Sequence, residues 1–369
     1  GPYAGYLLAG LGAEVIHVGR PDAEQSGRAT AALYQELNVG KICIGVDVKR
    51  PEGRDLVRRL VAKADVFVEN FRPGVAERLG LGYDDASRDN PALIMVSASA
   101  LGRERTQGNY VGYAPVFCAL AGVAHVTGHP DGPPVEIRHP ADLTAGAVAV
   151  LAVLAGLANR RRTGRGCYVD LAAREALLWT LAHPLVASQI DPGRDERLGN
   201  GHPLRAPHGL YRCSGEDRWL SVAVGSDAEW RGLCRAVGRP ELAADPRFAN
   251  AEARRGNRGE IDGLLGAFCE SRTAEQAAGV LQAHGVAAFP SMTNRDLWED
   301  PHLSARQAFA PVGEGAGRWA ATPPWIFGPT PRSLPETLAG NEALARVFGG
   351  LLGLDAGHIR RLQAEGIIG

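Results

Sequence analysis

Apolar side chains recur at helical spacing over residues 3–11. They then give way to Ala13-Glu14-Val15-Ile16-His17-Val18, a run of the length and character of a buried strand. Residues 41–48 alternate apolar and polar like a second strand. Pro51-Glu52-Gly53-Arg54 next opens a helix, with proline in the first turn, where no N–H is needed, and with Leu56, Val57, Leu60 and Val61 at helical spacing. The pattern continues as a strand over 65–70, a short helix over 75–79 and a strand over 93–97. Strands alternating with helices predict βαβ units and an α/β fold with a mostly parallel sheet.

The longest apolar stretch begins after Asp142 and runs to Asn159; its length predicts a buried helix rather than a strand. Thr163-Gly164-Arg165-Gly166 ends it, and residues 167–171 supply the next strand. After about residue 190 the character changes. A polar segment, Gly193-Arg194-Asp195-Glu196-Arg197, leads to short strands at 210–213 and 219–224, followed by amphipathic helices. The reading is a large α/β domain over 1–190 and a smaller α+β domain over 195–295. Residues 296–369, with their Pro-rich stretch at 311–335 and a helix near 341–352, return to complete the large domain.

Composition narrows the function classes. The 369 residues are 45% hydrophobic, enough for a sizeable core, and 40 basic against 41 acidic side chains leave no global field for nucleic acid or anionic lipid. The six cysteines show no C-x-x-C spacing and the ten histidines no metal spacing, so reduced buried thiols, a cytoplasmic setting and no metal are expected. No run of about 18 apolar residues is evident, so no membrane span is expected. The chain opens Gly1-Pro2-Tyr3 directly into a helical pattern, and the natural protein is expected to carry residues upstream.

Among motifs, Ala9-Gly10-Leu11-Gly12 has the wrong surroundings for a dinucleotide fingerprint: helix precedes strand, and Gly12 reads as a helix C-terminal glycine. A Walker loop, a G-x-S-x-G elbow and an H-E-x-x-H helix are missing. Asp142, at the head of the long helix, is a good N-cap; the same place also suits a carboxylate nucleophile, because a helix N-terminus favours an anion and what replaces it. Arg160-Arg161-Arg162 with Arg165 is either a solvated helix C-terminus or a phosphate site. Asn70-Phe71-Arg72-Pro73-Gly74 follows a strand, and is either a plain turn or part of a ligand crevice. Composition alone decides none of these.

Several segments in order carry a resemblance. They are Gly40-Lys41 leading to Val46-Asp47-Val48-Lys49-Arg50-Pro51-Glu52-Gly53, Val68-Glu69-Asn70-Phe71-Arg72-Pro73-Gly74 through Arg78-Leu79-Gly80-Leu81-Gly82-Tyr83, and Val126-Thr127-Gly128 leading to Asp131-Gly132-Pro133-Pro134. Ala141-Asp142-Leu143-Thr144-Ala145-Gly146 and Arg162-Thr163-Gly164-Arg165-Gly166 complete the set. Together they resemble the class III CoA transferases, the CaiB/BaiF-like, formyl-CoA transferase-like group, nearly end to end.

The resemblance implies an acyl-CoA donor, a carboxylic acid acceptor and Asp142 as a nucleophile passing through an acyl anhydride and a CoA thioester. It places Arg20, Lys49, Asn70, Phe71, Arg78 and Tyr113 where relatives contact coenzyme A, basic groups there suiting its phosphates. It also implies a Rossmann-like large domain, a small inserted domain and an interlocked homodimer. Two alternatives stand beside it. Related 2-methylacyl-CoA racemases abstract an α-proton, but their histidine aligns with Tyr113, whose ordinary pKa near 10 suits that exchange poorly. A catalytically weak subunit of a heteromeric or fused transferase is the other, prompted by Ala114 after Tyr113 and Ile42 after Gly-Lys, where relatives often carry acidic and basic residues.

Overall fold

In the computed structural model the described residues are 1–22, 36–103, 112–137, 140–191, 197–312, 319–327, 334 and 336–369. The chain divides into two compact units. One comprises Gly1–Ala124, Glu136–Leu185 and Pro301–Gly369; the other comprises His125–Val135 and Val186–Asp300. The second thus takes in His125–Val135, a stretch that lies well before the polar segment near residue 193.

The larger unit is α/β. Strands β1 (Ile16–Gly19) and β2 (Ile42–Gly45) pair in parallel, Ile16 opposite Ile42. Strands β3 (Val66–Glu69), β4 (Ile94–Ser99) and β5 (Cys167–Ala172) form a second parallel sheet in that order, Val66 opposite Ile94 and Ile94 opposite Cys167. Among the described residues the parallel strands therefore fall into two sheets, not one. Helix Pro51–Val61 lays Leu56, Val57 and Val61 onto Ile42, Ile44 and Val46, as its apolar spacing requires. The chain's last segment joins this layer: Val347, Phe348 and Leu362 enter the same core, and the Asp47 N–H donates to the Ile367 carbonyl at 2.8 Å. Arg361 pairs with Glu52 of helix Pro51–Val61. Gly12 adopts φ 91° just past the opening helix Pro2–Gly10, and its N–H donates to the Ala9 carbonyl, so the glycine does end that helix.

The long helix differs from expectation in two ways. It spans Pro140–Thr163, beginning two residues before Asp142, because proline's fixed φ suits the first helical position. It is also buried on one face only. Gly146, Ala149, Val153 and Gly156 turn inward, while Leu143, Leu151 and Leu154 are exposed, Leu151 by 58%. Small residues occupy the packed side because the backbone runs close to its neighbours: Gly146 lies against Tyr3 and Ala4, and Gly156 against Ile94 and Cys167. Contrary to the sequence expectation, Ala141–Thr163 is long and apolar enough to cross a membrane by length and composition; 39% of its most apolar window is buried within the chain.

The smaller unit is an antiparallel sheet, β6 (His208–Arg212), β7 (Trp219–Ala223) and β8 (Ala287–Pro290), packed with helices Asp227–Ala236, Arg258–Glu270 and Ala274–Ala283 around Trp230, Leu233, Phe248, Leu265 and Leu281. Ser226 with Glu229 and Thr273 with Gln276 form capping boxes that fix two of these helix starts. In the return segment, strands β9 (Phe309–Pro311) and β10 (Trp319–Ala321) pair antiparallel; much of the Pro-rich stretch lies outside the described residues.

A side chain at Gly166 would overlap the Leu93 carbonyl, whereas one at Gly164 meets nothing, its only constraint being φ 71°. Gly166→Ala is therefore expected to destabilise by about 3 kcal/mol or more and Gly164→Ala by about 1 kcal/mol. Urea unfolding of the two variants checks the order; equal losses would refute the packing argument.

Candidate active site

Asp142 is the third residue of helix Pro140–Thr163 and is exposed. It stands in the first turn and not at the cap, so the expected capping bond is replaced by a charge lying beside the unpaired N–H groups of that turn. No hydrogen bond or ion pair holds its carboxylate among the described residues.

Three other elements converge near it. The opening helix Pro2–Gly10 packs its first turn on the first turns of the long helix, through the contact of Tyr3 and Ala4 with Gly146. At Gly1 the charges of Asp142, Lys41 and Glu69 are all felt. A Cβ on Gly1 would lie 2.5 Å from Asn70 Oδ1, which places the Asn70 side chain directly against that backbone. Helix Ala114–Leu120 adds Cys118, whose thiol pKa is pushed up by burial and then by the negative charges of Asp142 and Glu136. Asp142, Asn70 and the start of helix Pro2–Gly10 are thus brought together, with the positive ends of two helices in one place.

The remaining predicted residues sit as follows. Asn70 and Phe71 follow β3 at its carboxyl end, both exposed, Phe71 by 40%. Arg78 ends the short helix Val75–Arg78 and folds back over Gly74, whose φ of 80° turns the chain. Arg20 follows β1 and Lys49 lies four residues beyond β2; both are exposed, and both come from carboxyl ends of parallel strands. Tyr113 is 81% exposed at the start of helix Ala114–Leu120. No hydrogen bond among the described residues joins Arg20, Lys49, Arg78 or Tyr113 to Asp142. Arg160 is elsewhere: its guanidinium binds Asp65 Oδ1 at 2.8 Å and the Ala92 carbonyl at 3.2 Å, roughly 27 Å along the helix from Asp142. Arg160 is thus tied at the helix C-terminus, at the far end from Asp142, while Arg161, Arg162 and Arg165 beside it are exposed.

Two residues were not among the site residues expected from the sequence. Lys41 is 2% exposed; its ammonium donates to the Pro2 carbonyl at 2.8 Å and to Asn38 Oδ1 at 3.2 Å, anchoring the opening helix. Burial lowers its pKa to about 8. Glu69 is 3% exposed and accepts from the Phe71 N–H at 2.8 Å and from Arg103. A charged residue closing the apolar run Val66-Phe67-Val68 was the available signal for Glu69, since a buried charge demands a partner. Among the described residues no cluster of His, Cys, Asp and Glu could hold a metal ion. A cavity of about 230 Å³ in the smaller unit, walled by Trp230, Leu242, Phe248 and Ile261, contains none of the predicted site residues.

An α/β unit with a carboxylate among converging helix N-termini, and basic side chains at strand carboxyl ends, is a frame for an enzyme that handles an anionic ligand. The family model of CoA-transferase family III matches residues 1–336. The chain is 33% identical to a succinyl-CoA–D-citramalate CoA-transferase of Chloroflexus aurantiacus over 100% of its length and 94% of that protein. It is 33% identical to a probable CoA-transferase of Mycobacterium tuberculosis, of which it spans 48%, with 98% of itself covered. A CAIB/BAIF family protein from Brucella suis has the same fold, with TM-score 0.84, 31% identity and 95% of each chain covered. The chain belongs to CoA-transferase family III, whose members transfer CoA between carboxylic acids.

His17 on β1 is half-buried within reach of the Lys41 charge, and burial followed by that charge lowers its pKa from 6.5 to about 4. Protons bind the unfolded chain at His17 before they bind the folded one, so stability falls as pH drops from 6.5 towards 4 and levels off below. His17→Asn is expected to remove on the order of 3 kcal/mol of that acid loss. Urea midpoints between pH 7 and 4 read it out; an unchanged acid slope in the variant would contradict the assignment.

Proposed function

We propose that the protein is an acyl-CoA:carboxylate CoA transferase with Asp142 as nucleophile. The observation that carries the reading is an exposed carboxylate, free of described partners, in a first helical turn beside a second helix N-terminus. The Asp142 carboxylate attacks the acyl-CoA carbonyl; the C–S bond breaks, CoA leaves as thiolate, and an acyl–aspartyl anhydride remains. Thiolate then attacks the aspartyl carbonyl and displaces the donor acid as its carboxylate, leaving an aspartyl–CoA thioester. The acceptor carboxylate attacks that thioester, and the returning thiolate takes the new acyl group and frees Asp142. Each carbonyl addition develops an oxyanion, which backbone N–H groups of the two first turns are suited to stabilise.

Coenzyme A is the substrate of this scheme, with no metal. Arg20, Lys49 and Arg78 supply cations for its phosphates, Phe71 an apolar face for adenine or pantetheine, and Asn70 and Tyr113 polar contacts. The larger unit serves as a Rossmann-like CoA-binding domain built by both chain regions flanking the smaller one. The acids follow from no contact here. The Chloroflexus relative is named for succinyl-CoA and D-citramalate, which makes that pair the first to assay. A cytoplasmic setting is consistent with six free cysteines.

Asp142→Ala is expected to lower CoA exchange on the order of 10³-fold or more. Loss of one exposed first-turn charge should cost stability only about 0.3–1 kcal/mol. Mass spectrometry of the wild-type enzyme with succinyl-CoA should find CoA joined through a thioester to the peptide holding Asp142. Full exchange in the variant would end the proposal.

We also propose an interlocked homodimer. The outward stripe of Leu143, Leu151 and Leu154, with Trp179 exposed by 69%, supports a partner surface on the larger unit. Leu151→Glu combined with Leu154→Glu is expected to abolish the dimer in light scattering. A dimer unaffected by both charges would rule out this face.

A further inference from the structure

Arg103 is 8% exposed, and each end of its fork is occupied. Nη2 donates to Glu69 Oε1 at the end of β3, and Nη1 donates to Glu77 Oε1 in helix Val75–Arg78 at 2.8 Å. Its own backbone N–H donates to both carboxylate oxygens of Asp170 on β5, at 3.1 and 2.9 Å. Glu69 and Glu77 stand on the two sides of the Asn70–Gly74 turn. One guanidinium therefore joins both banks of that turn, and Asp170 fixes the guanidinium's backbone to the sheet. Within the turn, the second oxygen of Glu69 accepts the Phe71 N–H at 2.8 Å. The carboxylate that Arg103 holds is thus the group that sets the direction of Asn70 and Phe71.

We infer that Arg103 is a positioning residue for coenzyme A: it holds the Asn70–Gly74 turn in a preformed shape and touches neither substrate itself. This rests on the reading that Asn70 and Phe71 meet coenzyme A. A turn ordered before binding spares the ligand the cost of ordering it, so loosening the turn weakens CoA binding more than chemistry. Arginine is required because a planar fork bridges two carboxylates at once; lysine keeps the charge and loses the bridge. Complete removal of the cation would strand Glu69, a buried carboxylate, and endanger the fold. The informative variants are therefore Arg103→Lys and Glu77→Gln, the latter removing only the half-exposed anchor.

The test is steady-state transfer from succinyl-CoA to D-citramalate, with Phe71→Ala and Asn70→Ala measured alongside. Arg103→Lys is expected to raise KM for the acyl-CoA about tenfold and Glu77→Gln about threefold, with kcat and KM for the acid within about twofold. If Phe71→Ala raises the acyl-CoA KM but Arg103→Lys and Glu77→Gln do not, the positioning role is wrong and the CoA site stands. A uniform fall in kcat with unchanged KM in Arg103→Lys would likewise overturn it, since that marks a structural role only. If Asn70→Ala and Phe71→Ala also leave that KM unchanged, the turn is not the CoA site and the underlying reading fails.

Discussion

Close approach of two backbones, the opening helix Pro2–Gly10 and the first turns of helix Pro140–Thr163, is the constraint on which the site depends. It exists because Gly146 presents no side chain to Tyr3 and Ala4. A methyl there would already sit 3.0 Å from the Tyr3 ring and 3.3 Å from the Ala4 nitrogen, so a side chain beyond alanine has no room without moving the helices. The buried Lys41 ammonium holds the other side of the opening helix through the Pro2 carbonyl, and Gly5 leaves room for the lysine stem to pass. Burying that cation is unfavourable, as its lowered pKa records, so the site is kept at the expense of some stability.

Much of this architecture could be read in the residues, because strands and helices write their period into the chain. The run Val66-Phe67-Val68-Glu69, the alternation around Ile42–Gly45 and the spacing of Leu56, Val57, Leu60 and Val61 each announce an element that the structure contains. Pairings between distant segments leave no such mark. Nothing local shows that Ile367 and Ile368 return to β2, or that Arg103 reaches back to Glu69 and Glu77. Helices Tyr83–Asp89 and Ala356–Ala364 were also unread, being short, rich in charge and dependent on neighbours for their burial.

The long helix shows where hydropathy misleads. Apolar composition all round suggests burial all round. Yet the fully buried positions are glycine, alanine and valine, and three of the four leucines, Leu143, Leu151 and Leu154, lie outside, with Leu157 half-buried against the core. The inner face is selected for close approach, and the outer face keeps the larger apolar area. That division is the pattern of a helix that packs its own sheet on one side and leaves a broad apolar stripe on the other.

Asp142 shows a finer limit. Sequence placed a carboxylate at the head of a helix, and Asp at such a place is most simply a cap. Pro140 moves the helix start two residues earlier, so the side chain falls within the first turn. The shift has a chemical consequence. A capping carboxylate spends its lone pairs on backbone N–H groups, and that lowers its reach and its nucleophilicity. A first-turn carboxylate feels the same favourable field while its oxygens stay open to a carbonyl carbon. In the proposed mechanism, the N–H groups it does not use are available to the oxyanion formed when it attacks. On that proposal one displaced helix start separates a capping aspartate from a nucleophilic one, and only the backbone, not the residue type, distinguishes them.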